Sequence, residues 1–341
     1  MKRTIAKAAV PVAALALMAG CAGGAAEIEA NSDGQIPLKV GYQEQSLLSL
    51  PDWVAFENGQ FEDRGLDVEL IANTSGQNAV AAGLRGEIDV MYGPQSNIVT
   101  AVEQGECFKV LTSGHRNVID FVAMPDFEMP SKQSDAFPGG LKDLEGKRVG
   151  VPNLGSATDR NAQLVLREAG VNTDDVTFIA VGIGPTAITS LENDEVDALA
   201  WFPPESSLMD EGEYQYVADL VGSPEESPLS EVIISSPVMT CDFIDSNPET
   251  TMEYCKAQWD AWDFIGREEN SEAVAAALSK YLNVDDATGA AMWEKYSSTF
   301  VTPKLTPEEW EAQAAFNAPG QQTPLPYAET VHAPCAESDP R

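Results

Sequence analysis

The order of strand and helix patterns predicts an α/β protein built as two lobes around one ligand cleft. Three observations carry this. Strand-like and helix-like segments alternate at crossover spacing over residues 36–112. The same order restarts at Phe121 and runs to Ala200 without clear sequence identity to the first unit. The chain then returns through a strand at residues 232–239 and is mostly helical from Pro248 onward. Ligands of open α/β sheets bind beyond the carboxyl ends of the strands. Both lobes are therefore expected to aim those ends into the shared cleft.

The first unit opens with a strand at residues 37–42. A helix over 50–59 follows, with Ser49 as its cap, Pro51 in its first turn and Asp52 three residues after the cap. Gly59 and Gly65 then break the chain before residues 66–71, which alternate as a strand does. A helix at 77–85, a strand at 88–92, a helix at 97–104 and a strand at 108–112 complete a parallel sheet with crossover helices. In the second unit a strand at 121–124 precedes an irregular stretch rich in Pro, Gly and Ser. The strand 147–151 leads into Gly155-Ser156-Ala157-Thr158, and a helix at 162–169 ends at Gly170. A strand at 176–181, a helix at 185–191 and a strand at 196–200 follow. The expected domains are a leader (1–20), a flexible tether (21–35), a discontinuous lobe I (36–115 with 235–335), lobe II (116–234) and a tail (336–341). The Pro-rich stretch after Ala318 is expected to run over the surface.

The leader reads as an export signal. Lys2, Arg3 and Lys7 precede an apolar run too short to span a bilayer. Met18-Ala19-Gly20-Cys21 then resembles the lipobox of bacterial lipoproteins, with Met where that motif usually has Leu. The resemblance implies that Cys21 carries the lipid and tethers the protein to the outer face of the cell membrane. The net charge of the 341-residue chain is −34, which excludes nucleic acid as a partner, because phosphate binding needs a basic surface. The acidity reads as a solvated, self-repelling surface. Of five cysteines, four remain beyond Cys21, an even number in an exported chain. None has zinc-type spacing and there are two histidines, so disulfides are expected and no metal. Three pairings are open. The expected one is the local pair Cys241–Cys255, leaving Cys107–Cys335, with four free buried thiols as the alternative.

Several pieces of the body share one resemblance. They are residues 40–42, 55–61 running into Gly65-Leu66-Asp67-Val68-Glu69, 79–89 ending in Gly86-Glu87-Ile88-Asp89, and Tyr92-Gly93-Pro94. Further on come residues 141–151, Gly155-Ser156 and 195–201 with Pro203-Pro204. In this order and spacing the chain resembles the periplasmic substrate-binding proteins of sulfonate, nitrate and taurine importers, and their relatives that bind thiamine-pyrimidine precursors. The resemblance spans roughly residues 38 to 240. It implies a type II periplasmic binding protein-like fold and an ABC permease with its cytoplasmic ATPase as partners; a monomer without cofactor is expected. The chain has no Gly-x-x-x-x-Gly-Lys-Ser/Thr sequence to bind nucleotide itself.

The candidate ligand residues lie at strand ends. Tyr42 and Gln43 follow the first strand and can stack on or hydrogen-bond a solute. Ser75 with Gly76, and Gly155 to Thr158, open helices whose free amides and dipole favour an anion. Ser75 and Ser156 also read as N-caps, and Asp159 forms a capping-box-like pair with Ser156. Tyr92 and Trp201 can sandwich a flat ligand, and Glu205 can accept from an amine. Arg116 and Arg160 are the candidates for pairing with an anion. A sulfonate, a carboxylate or an aminopyrimidine suits this set better than nitrate, on which an apolar wall would be wasted. No catalytic set is evident. A Ser–His–Asp triad would need His115 or His332, and neither lies in a motif. The alternatives to a transport receptor are an exported enzyme or a periplasmic sensor component on the same scaffold.

Overall fold

The computed structural model describes residues 27–341 except 45, 117–118, 203–207, 211, 231 and 318–324. The strands are β1 (Ile36–Gln43), β2 (Leu66–Asn73), β3 (Val90–Pro94), β4 (Phe108–Val110), β5 (Asp120–Ala123), β6 (Arg148–Val151), β7 (Thr177–Ala180), β8 (Ala198–Trp201), β9 (Gln215–Ala218) and β10 (Ser235–Thr240). They form two five-stranded sheets, ordered β2-β1-β3-β10-β4 and β7-β6-β8-β5-β9.

Neither sheet is purely parallel, as the alternation had led one to expect. β10 runs antiparallel to β3 and β4, and β5 runs antiparallel to β8 and β9. The reason lies in the crossings. The chain leaves the first sheet at the carboxyl end of β4 and returns to it next to that same end, so β10 must run back against its neighbours. β5 enters the second sheet under the same constraint. The short β9 was not foreseen. The crossing strands pack closely at Gly114, where a Cβ would fall 1.5 Å from the Ser235 carbonyl oxygen. Only glycine fits that approach.

The helices are α1 (Leu50–Glu57), α2 (Gln60–Asp63), α3 (Gly76–Leu84), α4 (Gln95–Glu103), α5 (Ala157–Glu168), α6 (Pro185–Glu192), α7 (Cys241–Ser246), α8 (Pro248–Ile265), α9 (Ser271–Leu282), α10 (Asp286–Tyr296), α11 (Pro307–Asn317), α12 (Tyr327–Thr330) and α13 (Ala333–Ala336). α5 starts five residues before its expected first residue, because Ser156 caps it. The Ser49 side chain does not cap α1. A 3-10 turn at Leu47–Ser49, itself capped by Ser46, leads straight into that helix. Asp52 instead turns inward, where it accepts from the Tyr254 hydroxyl (2.7 Å) and the Gln258 amide (2.6 Å).

Both disulfide expectations are corrected. The bonds are Cys107–Cys241 and Cys255–Cys335. Strand register decides the first. Thr240 pairs with Phe108 across β10 and β4, so the residues flanking those positions meet, and the Cys241 amide donates to the Cys107 carbonyl. Cys255, midway along α8, is left to face Cys335 on α13. The terminal segments also differ from expectation. The Ile28 amide donates to Asn247 Oδ1, and Asn31 bonds Asp67, so the expected tether is already docked at Ile28. At the other end Ala336 is buried and Arg341 pairs with Asp260 and Asp263. No helix among the described residues is long and apolar enough to cross a membrane.

Candidate functional site

The site is built where the carboxyl ends of the two sheets meet. A cavity of 390 Å³ is lined by Tyr42 and Glu44 from the end of β1, Gly184 and Pro185 at the start of α6, Leu208, and the end of α9 with Tyr281. It draws on both units of the chain, and its volume falls in the range of small-molecule sites. A larger cavity of 580 Å³ lies between α9 and α10. That one involves neither sheet, so the smaller cavity is the better candidate.

Tyr42 is held by aromatic packing. Its ring meets Trp53 and Tyr281 edge-on, with centroids 5.9 and 6.1 Å apart, while Tyr281 stacks on Trp53 at 4.8 Å. The Tyr281 hydroxyl donates to Glu57 at 2.6 Å, which fixes the ring from its far edge. Burial, and then the charge of Glu44, raise the pKa of Tyr42, so it stays a neutral phenol. The Gln43 Oε1 is buried and has no partner among the described residues.

The helix starts differ from one another. At α3 the Ser75 Oγ accepts the Asn78 amide at 3.2 Å, and the first turn holds no acid. The turn is close to β3, since a Cβ on Gly93 would sit 3.4 Å from the Gly76 Cα. At α5 the Ser156 Oγ accepts the Asp159 amide, and Asp159 Oδ2 accepts the Gly155 amide at 2.6 Å. Asp159 is buried and its other oxygen takes Gln163 Nε2. The capping pair read from the sequence is therefore present, and it consumes an amide expected to be free for a ligand. Ala157 and Thr158 form the first turn of α5, with Thr158 buried.

Other expected residues lie elsewhere. Tyr92 is fully buried at the centre of β3, and Trp201 is fully buried against Tyr214. These rings pack the lobe cores and do not line this cavity. Arg116 lies at the lobe crossing, its amide on the Thr299 carbonyl and its guanidinium 3.5 Å from the Ser230 carbonyl. Arg160 is half-buried in the first turns of α5. Glu205 and Cys21 fall outside the described residues. His115 stacks on Phe300 and lies 3.4 Å from the Ser235 Oγ. Burial pushes its pKa down to about 3, its Nε2 has no partner among the described residues, and so the pair lacks the acid of a triad. No group of His, Cys, Asp and Glu among the described residues can hold a metal ion.

Sequence reasoning missed Tyr281, Pro185 and Leu208 as cavity residues. Tyr281 comes from a helix more than two hundred residues after Tyr42, and its local pattern says only that α9 is amphipathic. Gly184-Pro185, by contrast, follows β7 directly, and the strand-end rule applied to Gly155 could have found it.

A family model described as NMT1/THI5 like matches residues 49–270. The chain belongs to this NMT1/THI5-like family. A Brucella abortus protein named as a binding protein is 26% identical over 256 residues, covering 74% of this chain and 73% of its own. Among solved structures, the periplasmic aliphatic sulphonate binding protein SsuA from Escherichia coli superposes with a TM-score of 0.65 at 17% identity. That match covers 82% of this chain and 89% of SsuA. A cysteine-to-serine mutant of DSZB in complex with biphenyl-2-sulfinic acid gives a TM-score of 0.59 at 17% identity, covering 82% and 90%. At these identities the structural likeness establishes the periplasmic binding protein-type fold.

Proposed function

We propose that the protein is the extracytoplasmic solute-binding component of an ABC importer, anchored through lipid on Cys21. It captures a small organic solute between its lobes and delivers it to a permease. The observation that carries this is the cavity shared by the ends of both sheets, with Tyr42 on one side and Gly184-Pro185 on the other. Membership of the NMT1/THI5-like family and a relative named as a binding protein support it. Function then needs only saturable binding and a bound form that the permease recognises.

A second reading, an enzyme on this scaffold, draws on the likeness to DSZB. All four cysteines among the described residues are in disulfides, so none of them offers a thiolate nucleophile. A thermal-shift screen over sulfonates, taurine, carboxylates, thiamine precursors and amino acids separates the two. A stabilising solute recovered unchanged supports transport. A stabilising solute that is converted overturns it.

A further inference from the structure

We propose that the interlobe cavity takes a compact aromatic or apolar solute with a neutral or cationic head group, and discriminates against anions. This rests on the solute-binding reading above and narrows its ligand class. Two independent observations lead to it.

The first is the wall. Tyr42, Tyr281, Pro185 and Leu208 give it aromatic and apolar faces beside polar surface that includes Asn283, and Glu44 is the only charged side chain among its described lining residues. The Lys280 ammonium, 5.4 Å from the centre of the Tyr281 ring, is already paired with Glu57 at 2.7 Å. An anion entering there therefore meets no uncompensated cation among the described lining residues and stands against a carboxylate, whereas an ammonium group is paired.

The second is the state of the nearest helix ends in lobe II. Amides at such ends are what an anion would use. The loops after β6 and β7, which lead to α5 and to Gly184, start side by side, because the amides of Val181 and Gly182 bond to the carbonyls of Val151 and Pro152. At the start of α5 the buried Asp159 carboxylate already takes the Gly155 amide at 2.6 Å. The chain supplies its own anion there. At the start of α6, Pro185 has no N–H, and the Ala187 and Ile188 amides both turn back to the Gly184 carbonyl.

The test uses phenethylamine, phenethyl alcohol and phenylethanesulfonate, which differ only in the head group, titrated calorimetrically into the purified protein. The amine is expected to bind at least about fivefold tighter than the sulfonate, with the alcohol between them. Glu44→Gln, at an exposed position, should level the amine with the alcohol. Asp159→Asn keeps a cap acceptor and should strengthen sulfonate binding while leaving the amine unchanged. Sulfonate binding as tight as or tighter than the amine overturns the inference, as does an amine affinity indifferent to Glu44→Gln or a sulfonate affinity indifferent to Asp159→Asn. Silence from all three probes overturns it too. Saturable binding of some other solute would in that case leave the transport reading standing.

Discussion

Asp52 is a fully buried carboxyl with one oxygen held by Tyr254 and Gln258 and the other without a partner among the described residues. Burial pushes its pKa up to about 7 from 3.8, and the two hydrogen bonds only partly oppose this. The folded state therefore holds a proton that the unfolded chain releases between those values. Stability falls as pH rises through about 4 to about 7 and stays low above, by roughly 4 kcal/mol at most. Asp52→Asn removes this titration while keeping an acceptor for Tyr254. Its melting temperature, followed across that window, should decline less with pH than that of the unaltered protein. Parallel profiles would show that Asp52 is not the group responsible.

At the scale of elements, α10 is tied to the second sheet by one ion pair. Lys295 Nζ lies 3.0 Å from Asp120 Oδ2 and 2.7 Å from the Tyr216 hydroxyl. Burial alone would lower the lysine pKa, but the Asp120 charge outweighs it and the net shift is upward. Asp120 also accepts the Leu220 and Val221 amides, both at 2.9 Å. Lys295→Met strands a buried carboxyl and should cost about 3 kcal/mol in urea unfolding. Adding Asp120→Asn should restore part of that loss. No recovery in the double variant would mean that lysine packing matters more than charge. The disulfide Cys255–Cys335 works at the same scale, closing α13 onto α8 across 80 residues. Replacing both cysteines by alanine should cost up to about 4 kcal/mol. It should also raise amide exchange at His332, whose N–H bonds the Val110 carbonyl at the end of β4. Unchanged exchange there would show that α12 and α13 stay docked without the bond.

For the whole molecule, the net charge of −34 sets a background of self-repulsion. Screening should relieve it, so the melting temperature is expected to rise from about 0.02 M to about 0.5 M sodium chloride. A flat or falling response would place the acids in local pairs rather than in one repelling field. Arg341 with Asp260, Asp263 and Asp339 is such a local knot, but the chain has only 20 basic residues for 54 acids.

The sequence by itself determined what is local. The alternation of patterns placed most strands and helices of both units, since side-chain period follows backbone geometry. Ser75 and Ser156 were legible as caps, and Asp159 as the partner of Ser156, because a cap involves residues three or four apart. What depends on residues far apart in the chain was decided only by the tertiary structure. β10 sits antiparallel between β3 and β4, and that register pairs Cys107 with Cys241 rather than with the tail. Trp201 ends its strand as expected, whereas Tyr92 falls mid-strand because β3 runs on to Pro94, and the cores close over both. Tyr281 reaches Tyr42 because α9 packs on α1, a contact with no trace in either segment alone. Ser49 and Asp52 fit a capping pattern, yet Asp52 bonds Tyr254 and Gln258, some two hundred residues away. Local patterns record a preference of the backbone, while a cavity wall is set by which distant surfaces bury each other, and that free energy is shared among residues the sequence keeps apart.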